Sequence, residues 1–153
     1  MKKIHVLALM IVLWAGTVNA QKPQRAKIVC GPYVQCMTET SFTVIWTTDV
    51  DAVAWVEVAP DDGTHFYNKE RDKYYDARGN GVFPIGKIHK VVVDGLEPGS
   101  TYRYRVMNRG VIDYNGSGNV QYMHGSGTDV YKGEPHKNTT FKKNYDTIRI
   151  ELY

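Results

Sequence analysis

The stretch GLEPGSTYRYRV, residues 95–106, decides the fold because a turn in it leads directly into a strand. Pro98 fixes its own φ angle, and Gly99 tolerates positive φ, which is the chemistry of a tight turn. The two faces of the following strand are Tyr102, Tyr104 and Val106 on one side and Thr101, Arg103 and Arg105 on the other. This alternation predicts that the tyrosine face is buried and that the arginines point to water or to a partner.

The hydroxyl of a buried Tyr102 needs a hydrogen-bond partner. Burial of the ring stabilises the fold by roughly 1.5–3 kcal/mol, but an unpaired hydroxyl would remove most of that gain. Tyr102 follows Leu96 by six residues, so its hydroxyl can reach the backbone at the start of the turn while Leu96 anchors the turn from inside. Such a contact is the tyrosine corner of immunoglobulin-like sandwiches.

Other short segments of the chain alternate in the same way, with turn residues between them, and no segment of ten or more residues after residue 20 has a convincing helical period. This pattern is typical of an all-β sandwich or barrel. Two long loops are predicted at 60–86, with a short edge strand around 64–68, and at 109–138, as an elaborated hairpin. The predicted strands are 27–30 with a looser continuation to 35, 41–47, 52–58, 87–93, 100–108, 119–123, 139–142 and 147–153.

Two of these strands show which side faces the core. Glu57 fixes the register of the second, because a carboxylate on the outer face also takes Val53 and Trp55 outward. We therefore expect two alternating sheets to close around Phe42, Trp46, Val56 and Tyr102. The full inward sets are Phe42, Val44 and Trp46 in the first strand and Ala54, Val56 and Val58 in the second.

Residues 1–20 have the pattern of a secretory signal peptide, with Lys2 and Lys3 ahead of an apolar run and small residues up to Ala20. The run is too short for a membrane span, so we expect an exported protein, periplasmic or extracellular. The chain has 19 basic and 16 acidic side chains, and removal of the two lysines leaves it near neutral. Nucleic acid is therefore not expected as a partner.

Cys30 and Cys36 are the only cysteines of the sequence. Extended chain between them would span about 20 Å, whereas a disulfide needs Cα atoms within about 7 Å. Two alternatives remain open. Either a sharp bend at Gly31-Pro32 joins them, or both are small buried apolar residues.

The pattern L-x-P-G-x-x-Y at 96–102, with Trp46 ending an earlier strand, resembles a fibronectin type III domain. The flanking segments GPYVQCMTETSFTVIWTT, 31–48, and GKIHKVVVDGLEPGSTYRYRV, 86–106, resemble the N-terminal β-sandwich of purple acid phosphatases and related secreted bacterial metallophosphoesterases. The resemblance covers about residues 28–145. It implies an immunoglobulin/fibronectin type III-like β-sandwich domain at 26–145, with two long loop insertions.

In that family the sandwich precedes a calcineurin-like catalytic domain with a two-metal centre. The resemblance implies that 146–153 begins this domain, and that the domain is the partner of the sandwich. A two-metal site needs several converging ligands, but the chain has no Asp-x-His, no Gly-Asn-His and no paired histidines. We therefore assign no catalytic, cofactor-binding or metal residue, and the resemblance implies a non-catalytic N-terminal domain of an exported metallophosphoesterase.

Several other patterns receive a simpler interpretation. The histidines lie in four separate segments, and His89 is expected to pack or to make a hydrogen bond in its strand. The glycine-rich segments 79–81, 116–119 and 125–127 lead into no helix and are predicted to be turns. Two asparagines, Asn115 and Asn138, match the glycosylation pattern. The histidines beyond the signal peptide are His65, His89, His124 and His136.

Four aromatic residues leave three alternatives open: a sugar-stacking platform, packing against the catalytic domain, or burial beneath the long loop. The first belongs to a different hypothesis, in which the chain is a free-standing extracellular module that binds a glycan or a protein. A third hypothesis for the whole chain is a structural spacer without a ligand. These residues are Trp55, Tyr67, Tyr74 and Tyr75.

Overall fold

A computed structural model describes residues 25–76, 83–114, 118–130 and 134–143. Within these ranges the chain forms seven strands, all paired antiparallel, and one short 3-10 helix at Phe66–Asn68. The all-β prediction is confirmed, whereas the signal peptide and the strand predicted at 147–153 lie outside the described residues. The strands are β1 Ile28–Gln35, β2 Phe42–Pro60, β3 Asp72–Tyr75, β4 Gly86–Val93, β5 Thr101–Tyr114, β6 Val120–Thr128 and β7 His136–Thr139.

Strand β2 contributes to both layers of the sandwich. In the first layer, the first half of β2 pairs with β1 and β4. In the second layer, its second half pairs with β3 and β5, and β5 pairs with β6 and β7. The register with β4 shifts between Thr47 and Ala52. A straight strand would separate Phe42 from Val58 by about 50 Å. The ring of Phe42 nevertheless lies 5.5 Å from that of Tyr104, which pairs directly opposite Val58. Strand β2 therefore reverses direction in this interval, and its two halves lie face to face.

The core lies between these two layers. The inward sets predicted for the strands of β2 are buried, and so are Tyr104 and Val106 of β5. Tyr102 is half-buried and packs against the same cluster. The predicted closure around the aromatic and valine residues is confirmed. The buried cluster consists of Phe42, Val44, Trp46, Ala54, Val56, Val58, Val91, Val93, Leu96, Tyr104 and Val106.

The buried side chain of His89 stabilises the reversal of β2 through a hydrogen bond to Thr48. The Thr48 hydroxyl lies 2.7 Å from the carbonyl oxygen of Val50 and 2.9 Å from Nε2 of His89. Because a hydroxyl donates only one hydrogen bond, it donates to the carbonyl and accepts from the imidazole. His89 is fully buried and its ring packs 5.3 Å from that of Trp46. Both roles expected of His89, packing and hydrogen bonding, are present.

The predicted tyrosine corner is also present. The Tyr102 hydroxyl accepts a hydrogen bond of 2.9 Å from the backbone N–H of Glu97. Leu96 is buried beneath the turn, and its own N–H donates to the carbonyl oxygen of Thr40. The turn is thus attached to β5 through the tyrosine and to the segment before β2 through the leucine.

We expect Tyr102→Phe to lower the free energy of unfolding by about 0.5–1.5 kcal/mol, because one hydrogen bond is lost while the ring stays packed. Urea unfolding of the purified chain measures the change. Tyr114→Phe is the matched control, since Tyr114 lies half-exposed on the same strand. Equal effects of the two substitutions would contradict the role of the corner.

Several predicted boundaries are wrong. The strands expected at 41–47 and 52–58 are one element, β2. The 109–138 segment is largely occupied by extensions of β5 and β6, which is the elaborated hairpin. The edge strand of the first loop lies at Asp72–Tyr75, not at 64–68, because Asp62 Oδ1 accepts bonds from both the N–H and the hydroxyl of Thr64 and bends the chain there. The last described strand, β7, ends where it was expected to begin, since it pairs with the start of β5.

Both alternatives for the cysteines are wrong. Cys30 and Cys36 are free, and both are exposed. Cys30 pairs opposite Thr47 on the outer side of the first layer, with its sulfur 3.3 Å from the Tyr33 hydroxyl. Cys36 follows the end of β1 with a φ of 47°, so it turns away from the strand.

Candidate interaction surfaces

Glu57 and Arg105 form a buried ion pair on the outer face of the second layer. The alternation had predicted that Arg105 points to water or to a partner. Glu57 and Arg105 lie directly opposite each other on β2 and β5. Two guanidinium nitrogens, Nε and Nη2, lie 2.6 and 2.5 Å from Glu57 Oε2, and Trp55 Nε1 donates to the other carboxylate oxygen at 3.3 Å. The face assignment of Glu57 is confirmed, but the carboxylate is neutralised within the domain and does not face water.

Arg103 is also directed into the domain, although the alternation placed it on the outer side. Its side chain is buried and donates to the carbonyl oxygens of Pro60 and Thr64 and to the carboxylate of Asp62. The expectation that Arg103 faces water or a partner is wrong, because the loop after β2 folds over it. Arg103 therefore holds this loop against the outer face of the second layer.

The loop segment 61–71, which we call the covering arm, places aromatic rings over the arginines. Phe66 is buried, and the Arg71 guanidinium lies 5.2 Å from its ring centroid. The Arg105 guanidinium lies 5.0 Å from the ring of Tyr67. These are cation–π distances. The covering arm therefore covers part of the outer face of the second layer, including Arg103 and Arg105.

A shallow cleft of about 310 Å³ lies between the covering arm and β7. Its cations are already paired, because Lys137 lies 2.8 Å from Asp61 and Arg103 lies 2.9 Å from Asp62. Small-molecule sites are mostly apolar with a few convergent polar groups, and this cleft is not of that kind. We assign no substrate to it. Its lining is Asp61, Gly63, Thr64, His65, Phe66, Tyr67, Arg103, Glu134, Pro135 and Lys137.

The four aromatic residues of the sequence hypotheses do not gather in one place. Tyr74 packs against the core, so burial applies to it. Tyr75 pairs opposite Trp55 with ring centroids 6.1 Å apart, and Phe83 lies 4.8 Å beyond Tyr75. Tyr67 belongs to the covering arm. Trp55, Tyr75 and Phe83 thus form an aromatic row beside the ion pair, with Tyr75 and Phe83 exposed.

The outer face of the first layer carries exposed apolar side chains, which were not recognised from the sequence. We define the first-layer outer face by nine outward-facing residues, which form three paired rows across β1, β2 and β4. The signal was available in part, since β4 has apolar residues on both of its faces. Three rows of paired residues cross β1, β2 and β4 here, namely Cys30–Thr47–Ile88, Tyr33–Ile45–Lys90 and Gln35–Thr43–Val92.

The family model for the purple acid phosphatase N-terminal domain matches residues 32–122, more than half of the chain. The chain belongs to the purple acid phosphatase N-terminal domain family. The match begins within β1 and ends within β6, so it includes both halves of β2 and the tyrosine corner. No curated protein matches the chain.

The histidines of this purple acid phosphatase N-terminal domain serve different local contacts. His89 is in the core, His65 stacks near Tyr67, His136 contacts the carboxylate of Asp129, and His124 is exposed. In the part of the chain that the structure describes, no three His, Cys, Asp or Glu side chains come together as metal ligands. The described ranges also contain no helix of the length and apolarity needed to cross a membrane.

One glycine-rich segment of the purple acid phosphatase N-terminal domain is not a turn. Gly125 to Gly127 lie within β6, whereas 79–81 and the first half of 116–119 lie outside the described residues. A Cβ on Gly127 would lie 2.2 Å from the carbonyl oxygen of Ala26 and 2.6 Å from Oδ1 of Asn108. Glycine is needed there because two backbones approach closely. Asn138 Nδ2 is buried in β7, which disfavours glycan attachment there, and Asn115 is not described.

Tyr104 lies between the core and the Asp129–His136 contact. Its ring centroid is 5.3 Å from that of His136 and 5.5 Å from that of Phe42. Burial, and secondly the negative charge of Asp129, raise the pKa of Tyr104 from its usual value of 10.0 to about 12. Both causes act in the same direction, since each disfavours the phenolate.

This shift predicts a loss of stability at high pH. Folding favours the neutral form of Tyr104. The contribution of this neutral side chain to the free energy of unfolding is therefore complete below pH 10 and is lost as the pH rises through about 12. Between these limits we expect the wild-type chain to lose about 1–2 kcal/mol more than Tyr104→Phe, which keeps the ring but cannot ionise. Urea unfolding at both limits tests this, and identical pH profiles would contradict it.

Proposed function

We propose that this chain is the non-catalytic N-terminal β-sandwich of an exported, purple acid phosphatase-like metallophosphoesterase, whose catalytic domain follows residue 153. The observation that carries the proposal is the family match over residues 32–122. The signal-peptide pattern of residues 1–20 supports export. The parent enzyme would hydrolyse phosphate esters with two metal ions, and its metal ligands would belong to the domain that follows.

Within that enzyme the role of this domain is to position the chain that leads into the catalytic domain. The turn at 95–100, which holds the tyrosine corner, also binds the segment after β7. Thr140 is buried there, accepts a hydrogen bond from the N–H of Ser100 and donates one to the carbonyl oxygen of Glu97. Phe141 accepts from the N–H of Gly99 and donates its own N–H to Thr38. The motif that closes the sandwich therefore also fixes where the chain leaves it.

The reading frame downstream of Tyr153 gives the first test. We expect it to encode an Asp-x-His motif within a few residues, followed by further metal ligands. The full-length protein should hydrolyse p-nitrophenyl phosphate and lose this activity on chelation of its metals. A stop codon directly after Tyr153, in a gene whose product is stable and soluble, would contradict the proposal.

The aromatic row of Trp55, Tyr75 and Phe83 favours a second candidate, a module that binds a glycan by stacking. In that case a glycan array should show binding that Trp55→Ala and Tyr75→Ala both abolish. Retention of binding in these variants would place the ligand elsewhere. Absence of any glycan or protein ligand would leave the chain as a spacer.

A further inference from the structure

We propose that the first-layer outer face is the surface on which the catalytic domain packs. This inference rests on the proposed function and deepens it, because it names the face and the chemistry of the partner surface. The occupant is the domain that follows residue 153, and not a second copy of this chain.

The composition of the first-layer outer face favours a cover. An antiparallel sheet with one solvated face normally alternates apolar residues inward with polar residues outward. Of the nine paired positions on this face, Lys90 alone is charged. Ile88, Tyr33 and Val92 are 61%, 56% and 47% exposed. Four of the nine are apolar, and a group of exposed apolar side chains with a single charge is typical of an interaction surface.

The outer face of the second layer differs, because the chain itself covers much of it. There the covering arm lies over Arg103 and Arg105, and Glu57 neutralises the latter. On the first-layer outer face, Ile88, Tyr33 and Val92 remain exposed, whereas Thr43 in the middle strand is buried. Beside the part that the arm covers, Tyr75 and Phe83 of the aromatic row remain exposed.

The path of the chain identifies the occupant. Phe141 donates its N–H to Thr38, which lies three residues beyond the end of β1, an edge strand of the first-layer outer face. The ten residues from 144 to 153 reach at most about 35 Å when extended, whereas the three strands of the face span only about 10 Å. The next domain is thus tethered beside this face at a high effective concentration, which favours it over any free partner.

The partner surface follows from the same residues. It should be mostly apolar, with aliphatic or aromatic side chains over Ile88 and Val92. One carboxylate should lie opposite Lys90, since an ammonium group enclosed without a counter-charge would oppose docking.

The test uses the full-length protein and a matched pair of substitutions. Ile88→Glu places a carboxylate on the face, and Ile112→Glu places one on β5 at a residue of the same type that is 62% exposed instead of 61%. We expect Ile88→Glu to accelerate proteolysis between the domains by at least about tenfold, because an unpaired buried charge opposes docking. Ile112→Glu should leave the cleavage rate unchanged. Hydrogen exchange of β4 should rise only in the first variant.

A second variant protects the test from simple misfolding. Lys90→Glu changes an exposed charge without altering the core, and it should also accelerate cleavage because it meets the opposing carboxylate. In chain 21–153 alone, all three variants should unfold at the wild-type urea concentration within error. If Ile88→Glu destabilises chain 21–153, its faster cleavage is an effect on folding. The cleavage rate of the Lys90→Glu protein then tests the inference.

Three results would overturn the inference. One is equal cleavage of the Ile88→Glu and Ile112→Glu proteins in an active full-length enzyme, which would leave the proposed function intact. Another is a dimer of chain 21–153 that Ile88→Glu dissociates, which would make a second copy the occupant. The last is a wild-type gene that encodes no catalytic domain, which would remove the occupant together with the proposed function.

Discussion

Replacement of Trp46 by alanine should lower the free energy of unfolding by roughly 3–5 kcal/mol, a large part of the margin of a typical domain. Trp46 is 1% exposed and packs against His89 at the reversal of β2. Its Nε1 has no hydrogen-bond partner within the described residues. The expected loss therefore comes from packing and from the cavity left behind, and not from a broken hydrogen bond.

Trp55→Ala is the matched control for this prediction. Trp55 has the same side chain on the opposite face of the same strand, where it is half-buried and donates to Glu57. We expect it to cost less than half as much as Trp46→Ala, because less apolar surface returns to water. Urea unfolding of both variants gives the comparison. If Trp55→Ala proved the more damaging of the two, the assignment of inner and outer faces would be wrong.

The second large effect is expected at the ion pair of the outer face. Glu57→Ala should cost about 3 kcal/mol, since it leaves the Arg105 guanidinium largely buried without its carboxylate. The side chains of Glu57 and Arg105 are only 10% and 22% exposed. Replacing both by methionine should cost much less than the sum of the single substitutions, because no charge then remains to be desolvated.

An exposed ion pair between the covering arm and β3 supplies the comparison. Glu70 lies 3.2 Å from Lys73, with side chains 86% and 37% exposed. Glu70→Ala should change the free energy of unfolding by less than about 1 kcal/mol, since solvent screens such pairs. A double-mutant cycle at each pair measures the two coupling energies, and similar values would rule out a buried role for Glu57.

The parts of the fold that were predicted correctly depend on local sequence. Pro98 and Gly99 define a turn by their own backbone preferences, and the alternation after them places Tyr102 and Tyr104 inward. The distance from Glu97 to Tyr102 is short enough for the corner contact to follow from spacing. The burial of Phe42 and Trp46 follows from alternation in the same way.

The parts that were missed depend on residues far apart in the sequence. The pairing of Glu57 with Arg105 requires the register of β2 against β5, and the burial of Arg103 requires a loop some forty residues earlier. Neither can be read from one strand. The first-layer outer face likewise exists only because Tyr33 and Ile88 are brought to the same sheet on either side of β2.

The functional assignment also has one part that the sequence predicted and one part that required the structure. The family could be named from the segments 31–48 and 86–106, and the match over 32–122 confirms it. The sequence offered no catalytic residue to place. The docking face proposed above emerged only from strand pairing and from the position of Phe141 beside Thr38.

The most direct test of the whole account is an activity measurement on purified residues 21–153. The assay uses p-nitrophenyl phosphate with Zn²⁺, Mn²⁺, Fe²⁺ or Mg²⁺, alongside the full-length protein at equal concentration. We expect turnover by the full-length protein and none above background by the shorter chain, because its role is to position a neighbouring domain. Metal-dependent turnover by residues 21–153 that co-purifies with the folded chain would contradict the account.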